Sequence, residues 1–462
     1  MDVKMDVKKL QNIVGGDWVV TKAEQMVDYM QDAVMGAVIP KPAKNVILVK
    51  PANAQEISEI LKLANKEKFP VIVRGGGSGM AGGAVPNIDC VLLSLERLNK
   101  IEEISKEDLM LTAEAGVPYG EMVDKALEYG MFFAPRPGDL GAHCGGIVAT
   151  NAGGARAVKY GVTRAFVKGL EVVTPTGEIL HLGGKLLKYS MGLDLTHLFV
   201  GSKGVLGVIT KVIFRLALKM PFSSLILASY DERLDAMKVA PHVTEAMIIP
   251  LAGEYIDHDL AVDSAKYLGI EWPAKKGKAH IFFVSEGENE DVVYAELEKI
   301  SKICEEHGAL DIVMAERREE QDVIMKSRGE TGSMQKAAGN IGDFMDVAVP
   351  PSRVADLFEG MLEIEKKYNT WIPTCGHAID GNLHPTPLKE LADRGVLEDC
   401  KTDIYKKTVE LGGVLTGEHG IGTIRLHNTP LWPEPQIWEL MRGIKKVFDP
   451  NNILNPHREI PD

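Results

Sequence analysis

Two histidines bracket a turn dipeptide in Gly376-His377-Ala378-Ile379-Asp380-Gly381-Asn382-Leu383-His384. Asp-Gly suits the centre of a type I′ turn, where both residues need positive φ, so the stretch predicts a two-residue hairpin loop. Ile379 then faces Asn382, Ala378 faces Leu383 and His377 faces His384. Opposed Cβ atoms about 5 Å apart let both imidazoles reach one metal ion. Two histidines beside a turn are equally ordinary as core or surface residues, so a third ligand has to decide. Thr416-Gly417-Glu418-His419-Gly420 offers Glu418, and a His-His-carboxylate set leaves a coordination position open for a reacting molecule.

Elements that could position such a site precede it. An amphipathic helix over residues 55–66 leads into an apolar strand, Val71-Ile72-Val73, and then into Arg74-Gly75-Gly76-Gly77-Ser78-Gly79-Met80-Ala81-Gly82-Gly83, with six glycines in ten residues. Glycines let successive backbone N–H groups converge on an anion, with Arg74 and Ser78 as further donors. The spacing fits neither the Rossmann nor the Walker pattern. A second block carries Pro137, Gly138, Gly141, Ala142, Gly145 and Gly146 and continues through Ala149, Asn151, Gly153 and Gly154; a hairpin is expected over residues 172–180. A third, Gly201-Ser202-Lys203-Gly204-Val205-Leu206, runs into Gly207-Val208-Ile209 and a strand ending near Leu216. Several backbone cradles in one segment point to an extended, nucleotide-sized cofactor.

At 462 residues the chain exceeds one ordinary core, and two domains with a returning tail are expected. The net charge of -13 excludes nucleic acid or an anionic membrane as main partner. The first residues lack a signal peptide's apolar core and no run could span a bilayer, so a cytoplasmic location is expected. Cys90, Cys144, Cys304, Cys375 and Cys400 are dispersed, which excludes a zinc ribbon or an iron-sulfur cluster and predicts buried thiols. Residues 1–40 form a lead-in expected to be helical. Between 221 and 404, strands at 224–229, 281–284 and 344–349 alternate with helices at 290–306 and 354–367, an α+β cap on an antiparallel sheet. Residues 405–462 return to the first domain.

The three glycine segments resemble, in order and spacing, the flavin-contacting segments of the vanillyl-alcohol-oxidase (PCMH) type FAD domain. Residues 376–384, Glu418-His419-Gly420 and the tail Asp449-Pro450-Asn451-Asn452-Ile453-Leu454-Asn455-Pro456 resemble the branch of D-lactate dehydrogenases, glycolate oxidase flavoprotein subunits and D-2-hydroxyglutarate dehydrogenases. The resemblance spans nearly the whole chain. It implies an α+β protein with a FAD-binding domain over 41–220, and FAD held by the glycine segments and Asn455. It implies one divalent metal (Zn, Fe or Mn) on His377, His384 and Glu418, His419 as the base taking the substrate hydroxyl proton, and Arg328 on the substrate carboxylate. Asn382 is expected to bond substrate or flavin, or to support the turn.

The activity implied is oxidation of a small D-2-hydroxy acid, D-lactate preferred and pyruvate its product, by hydride transfer to flavin N5. Electrons would pass to an electron-transferring flavoprotein or an iron-sulfur subunit. The alternatives are a glycolate or other 2-hydroxy acid oxidase subunit using oxygen or an iron-sulfur partner, and a non-catalytic FAD-binding electron-relay subunit. The chain departs from the pattern at Phe344, where 2-hydroxyglutarate enzymes carry lysine; this favours a monocarboxylic substrate. Lys203 replaces an acidic residue, His457 a glycine, and Ser78 gives no support for covalent flavin.

Overall fold

The computed structural model describes residues 5–461. Strands Val46–Val49, Cys90–Ser94 and Val71–Arg74 lie parallel, and Val19–Val20 pairs antiparallel with Val46–Val49. Their near-continuous apolar residues suit a sheet covered on both faces. Helix Ala54–Glu67 packs on it through Ile57, Ile60, Leu61 and Ala64, with Asn53 capping its first turn. A five-stranded antiparallel sheet follows, in the order Ile101–Ser105, Met110–Glu114, Val208–Arg215, Val167–Val173 and Ile179–Gly183. The expected hairpin is its last pair, with Val173 opposite Ile179.

The lead-in is α-helical only at Val7–Val14; Gly15, at φ 91°, ends that helix. Beyond it come short 3-10 turns and the strand Val19–Val20, because this stretch has no sustained helical periodicity. Its backbone is spent on other elements: Ala33 N–H donates to Gly79 O and Ala37 N–H to Gly342 O. The segment thus laces the first glycine loop to the cap.

The cap is a seven-stranded antiparallel sheet ordered Asp311–Ala315, Phe222–Tyr230, Ala279–Gly287, Ala252–Asp257, Thr374–His377, Asn382–Pro385 and Val347–Ala348. Alternation along the strands feeds two cores. Ile226, Ala228 and Tyr230 join helices Arg233–Glu245, Glu290–Glu306, Val354–Tyr368 and Leu397–Glu410 on one face; Leu225 and Leu227 join helix His258–Tyr267 on the other. The strand expected at 344–349 shortens to Val347–Ala348, since Asp346 bridges instead to Thr416 in the tail. Position 405 falls inside helix Leu397–Glu410, which packs on Val354–Tyr368, so the tail leaves the cap only after that helix. It then adds Leu454 beside Val71 in the first sheet.

His280 is fully buried in this sheet between Ser229 and His258, bonded to both. Burial, and next the nearby His258, push it down to about 3 from 6.5. The unfolded chain takes up this proton below pH 6.5, whereas the folded chain refuses it until about pH 3, so stability falls with pH across that window. At pH 5 the loss is about 2 kcal/mol. Urea midpoints at pH 7 and pH 5 should lie closer together in His280→Gln than in the parent; an unchanged gap counts against this origin.

Candidate active site

The histidine hairpin forms, but with a different register. Thr374 pairs with Pro385, Cys375 with His384, Gly376 with Leu383 and His377 with Asn382. The loop is therefore four residues, Ala378 to Gly381, with a 3-10 turn at Ala378–Asp380 and positive φ only at Gly381 (82°). A Cβ at Gly381 would stand 2.1 Å from Val349 O, and this close approach displaces the expected type I′ geometry. His377 and His384 are diagonal rather than opposite neighbours, two residues apart on one face. Their rings still meet edge to face, with centroids 5.4 Å apart.

The tail brings Glu418 and His419 onto these rings. Nε2 of His377 and Nε2 of His384 each lie 3.6 Å from Glu418 Oε1, and Nε2 of His419 lies 3.7 Å from it. Ligands 2.1 Å from a tetrahedral ion stand roughly 3.4 Å apart, so each of these nitrogens stands from Glu418 Oε1 at about the distance of two ligands on one divalent cation. Asp346, His384, Glu418 and His419 keep their ligand atoms within 4.8 Å of one another. Asp346, unforeseen as a functional residue, is the hub: Oδ2 accepts from Thr416 Oγ1 and from the N–H groups of Glu418 and His419, and Oδ1 from Asn382 Nδ2. Asn382 also donates to Val347 O, so its amide nitrogen positions Asp346 rather than reaching outward from the turn's tip.

Burial dominates the electrostatics. It pushes His384 down to about 3, reinforced by His419, so the ring is a neutral donor. Burial also opposes the charge on Glu418, but His377, His419 and His384 outweigh it and hold the carboxyl well below its usual range. His377 is raised well above an ordinary histidine, because Glu254 overcomes desolvation.

Glu254 was not anticipated. Its strand Ala252–Asp257 pairs Tyr255 with Gly376, which sets Glu254 opposite His377; Oε1 accepts from His377 Nδ1. A lone acid inside the apolar run Leu251-Ala252-Gly253-Glu254-Tyr255-Ile256 was the available signal. Arg328 lies in the last turn of helix Arg318–Gly329 and sets Nε 2.9 Å from Glu254 Oε2. That contact lacks hydrogen-bond direction, so Nε and Nη2 of Arg328 are buried without a hydrogen-bond partner among the described residues. Phe344 walls the site, stacked on His384 at 5.4 Å and His419 at 6.0 Å, and packs with Met35, Ile341 and Met80.

The glycine segments converge on this assembly from the other side. A Cβ at Gly75 would touch His143 and Gly146, one at Gly76 would strike Gly141 O at 2.3 Å, and one at Gly153 would lie 3.0 Å from Glu418 Oε2. Gly79, Gly138 and Gly146 face open space, and His143 Nδ1 is buried without a partner among the described residues. The Arg74 guanidinium packs under the first loop, where a Cβ on Gly77 would strike it, and is bonded to the lead-in. It donates to Asp28 O and Gln31 O, and it packs over Tyr29. Asn455 joins the first and third segments, accepting from Val73 N–H and donating to Lys203 O and Gly204 O. Lys203 in turn donates to Thr150 O and His419 O, tying the third segment to the tail. His457 and Lys203 both sit at positive φ (56° and 52°), where glycine is the usual occupant.

The two-part architecture is that of PCMH-type FAD oxidases: p-cresol methylhydroxylase with substrate bound superposes with a TM-score of 0.79 at 18% identity, covering 99% of this chain and 96% of that one. Residues 46–183 match the FAD binding domain model and residues 219–458 the model for FAD linked oxidases, C-terminal domain. The chain belongs to the FAD-linked oxidase family. A D-lactate dehydrogenase of Archaeoglobus fulgidus is 37% identical over 94% of this chain and 95% of its own. The glycolate oxidase subunit GlcD of Bacillus subtilis is 34% identical over 88% of this chain and 87% of its own. The protein is a FAD-dependent oxidoreductase, and the open glycine loops with the unpartnered His143 fit that cofactor. No helix among the described residues is long and apolar enough to cross a membrane.

Proposed function

We propose that the protein oxidises a small D-2-hydroxy acid, D-lactate preferred and pyruvate the product, beside a divalent metal, and passes the electrons to a protein partner. The observation that carries this reading is the Arg328 guanidinium, ion-paired through Nε with Glu254, with Nη2 buried and free of a hydrogen-bond partner among the described residues, and joined through Glu254 to the His377, His384 and Glu418 donor set. A guanidinium with free nitrogens takes a carboxylate, and a hydroxyl one carbon away would then lie toward the histidines. FAD, when bound, accepts the two electrons and the substrate hydrogen. A divalent ion on His377, His384 and Glu418 would acidify the hydroxyl.

His419 is the base we assign to that hydroxyl. Its backbone N–H is pinned by Asp346 and its ring is stacked on His384 at 5.2 Å, so Nε2 is held in place to take the proton. Phe344 keeps water away and offers no cation to a second carboxylate, which favours lactate over longer diacids. The names of the two curated relatives agree with this substrate class. The five cysteines are buried and free, so no disulfide among them relays electrons, and we assign the onward path to a partner such as an electron-transferring flavoprotein or an iron-sulfur subunit. Anaerobic addition of D-lactate should bleach the bound flavin. A persisting oxidised spectrum with lactate, glycolate and other 2-hydroxy acids would remove the reading, and rapid peroxide formation in air would replace the protein acceptor by oxygen.

A further inference from the structure

Glu254 is 1% exposed, in the middle of the cap sheet, and its two oxygens divide between two residues of the site. Oε1 accepts a hydrogen bond from His377 Nδ1–H, and Oε2 lies 2.9 Å from Nε of Arg328. We propose that Glu254 is a positioning residue for both halves of the reaction: it fixes which nitrogen of His377 faces Glu418, and it aims the Arg328 guanidinium at the substrate carboxylate. The inference rests on the roles given to His377 and Arg328 above.

The argument is geometric. An imidazole bonded through Nδ1–H can offer only Nε2 as a donor, and Nε2 is the atom 3.6 Å from Glu418. An arginine whose Nε faces one carboxylate keeps its end-on edge, Nη1 and Nη2, for another, and Nη2, which both edges share, is buried and unpartnered among the described residues. A single carboxylate therefore couples the rotation of the ring to the placement of the guanidinium. Burying that carboxylate has a desolvation cost which an apolar pair of equal volume would avoid, so its use here is not explained by packing. Gly253 helps to make the arrangement possible, since a Cβ there would lie 2.8 Å from Ile379 Cβ in the histidine loop.

The test uses FAD-loaded protein with Glu254→Gln beside the parent. Two affinities are read: that of zinc for chelator-treated protein, and that of propionate for the metal-free holoprotein, followed by the shift it causes in the flavin spectrum. With FAD content and thermal midpoint close to the parent's, zinc affinity should fall about 10- to 100-fold. Propionate affinity should fall roughly tenfold as the guanidinium loses its aim. Parent-like values of both overturn the proposal, and loss of only one reduces Glu254 to a partner of that residue and overturns the shared role. Should Glu254→Gln lose FAD, Glu254→Asp keeps the charge on a shorter arm and should still weaken both ligands at least about fivefold; unchanged affinities there overturn it too. A parent protein that binds no zinc refutes the metal reading, whereas the propionate result tests Glu254 without it.

Discussion

His377→Ala should lose bound metal and turnover together while keeping its FAD. Two features set the size of the effect. His377 supplies one of three nitrogens around Glu418 Oε1, and removing one protein ligand from a three-residue site leaves the ion weakly held. A hydroxyl no longer acidified by the ion is a poorer proton donor, and the expected loss is about 10³-fold or more in turnover, roughly 4 kcal/mol of transition-state stabilisation. FAD is retained because its glycine segments belong to the first two sheets, whereas His377 ends a cap strand. The measurements are metal content by elemental analysis, flavin content by absorbance and steady-state oxidation of D-lactate. A variant that is metal-free yet turns over at the parent's rate would refute the assignment of His377 as a ligand.

The parts of the molecule written in local pattern were legible from the residues. The glycine segments, the helix of residues 54–67, the strand before the first loop and the antiparallel cap all follow from periodicity and from backbone freedom. Register was not legible at the histidine hairpin. Asp380-Gly381 is a sound turn signal, but the chain answers to the approach of Gly381 to Val349 O and absorbs Ala378 and Ile379 into the loop. His377 and His384 nevertheless share a face, because both registers keep the two residues on the same side of the pleat. The partners of the Arg74 guanidinium were illegible for a related reason: Asp28 O and Gln31 O lie in a segment that carries no motif. Glu254 and Asp346 were missed because a buried acid in a strand declares itself only when its partners are in place, 123 residues away for Glu254 and His377 and 36 to 73 for Asp346.

Asp346 carries the second large expectation. Its carboxylate is fully buried and accepts from Thr416 Oγ1, Glu418 N–H, His419 N–H and Asn382 Nδ2. Burial disfavours its charge, yet His419 and His384 hold the carboxyl below the ordinary value, so it remains an acceptor for every donor around it. Asp346→Asn is isosteric but replaces one acceptor oxygen by an N–H₂ group. Placed at Oδ2 that group faces three donors, and placed at Oδ1 it faces the Asn382 amide. The cost of unsatisfied buried donors beside a lost charge is roughly 3–5 kcal/mol. Urea denaturation should show it as a lowered midpoint with an unchanged slope. Turnover should fall at the same time, since the two N–H groups released belong to Glu418 and His419 themselves. Thr416→Val is the control: it removes one donor to Asp346 and the acceptor of Gly420 N–H, and leaves the other three contacts in place. It should cost roughly 1–2 kcal/mol and retain most activity. A loss below about 1 kcal/mol for Asp346→Asn, with turnover intact, would mean that the tail holds Glu418 and His419 without the cap, and that the site is not built on this carboxylate.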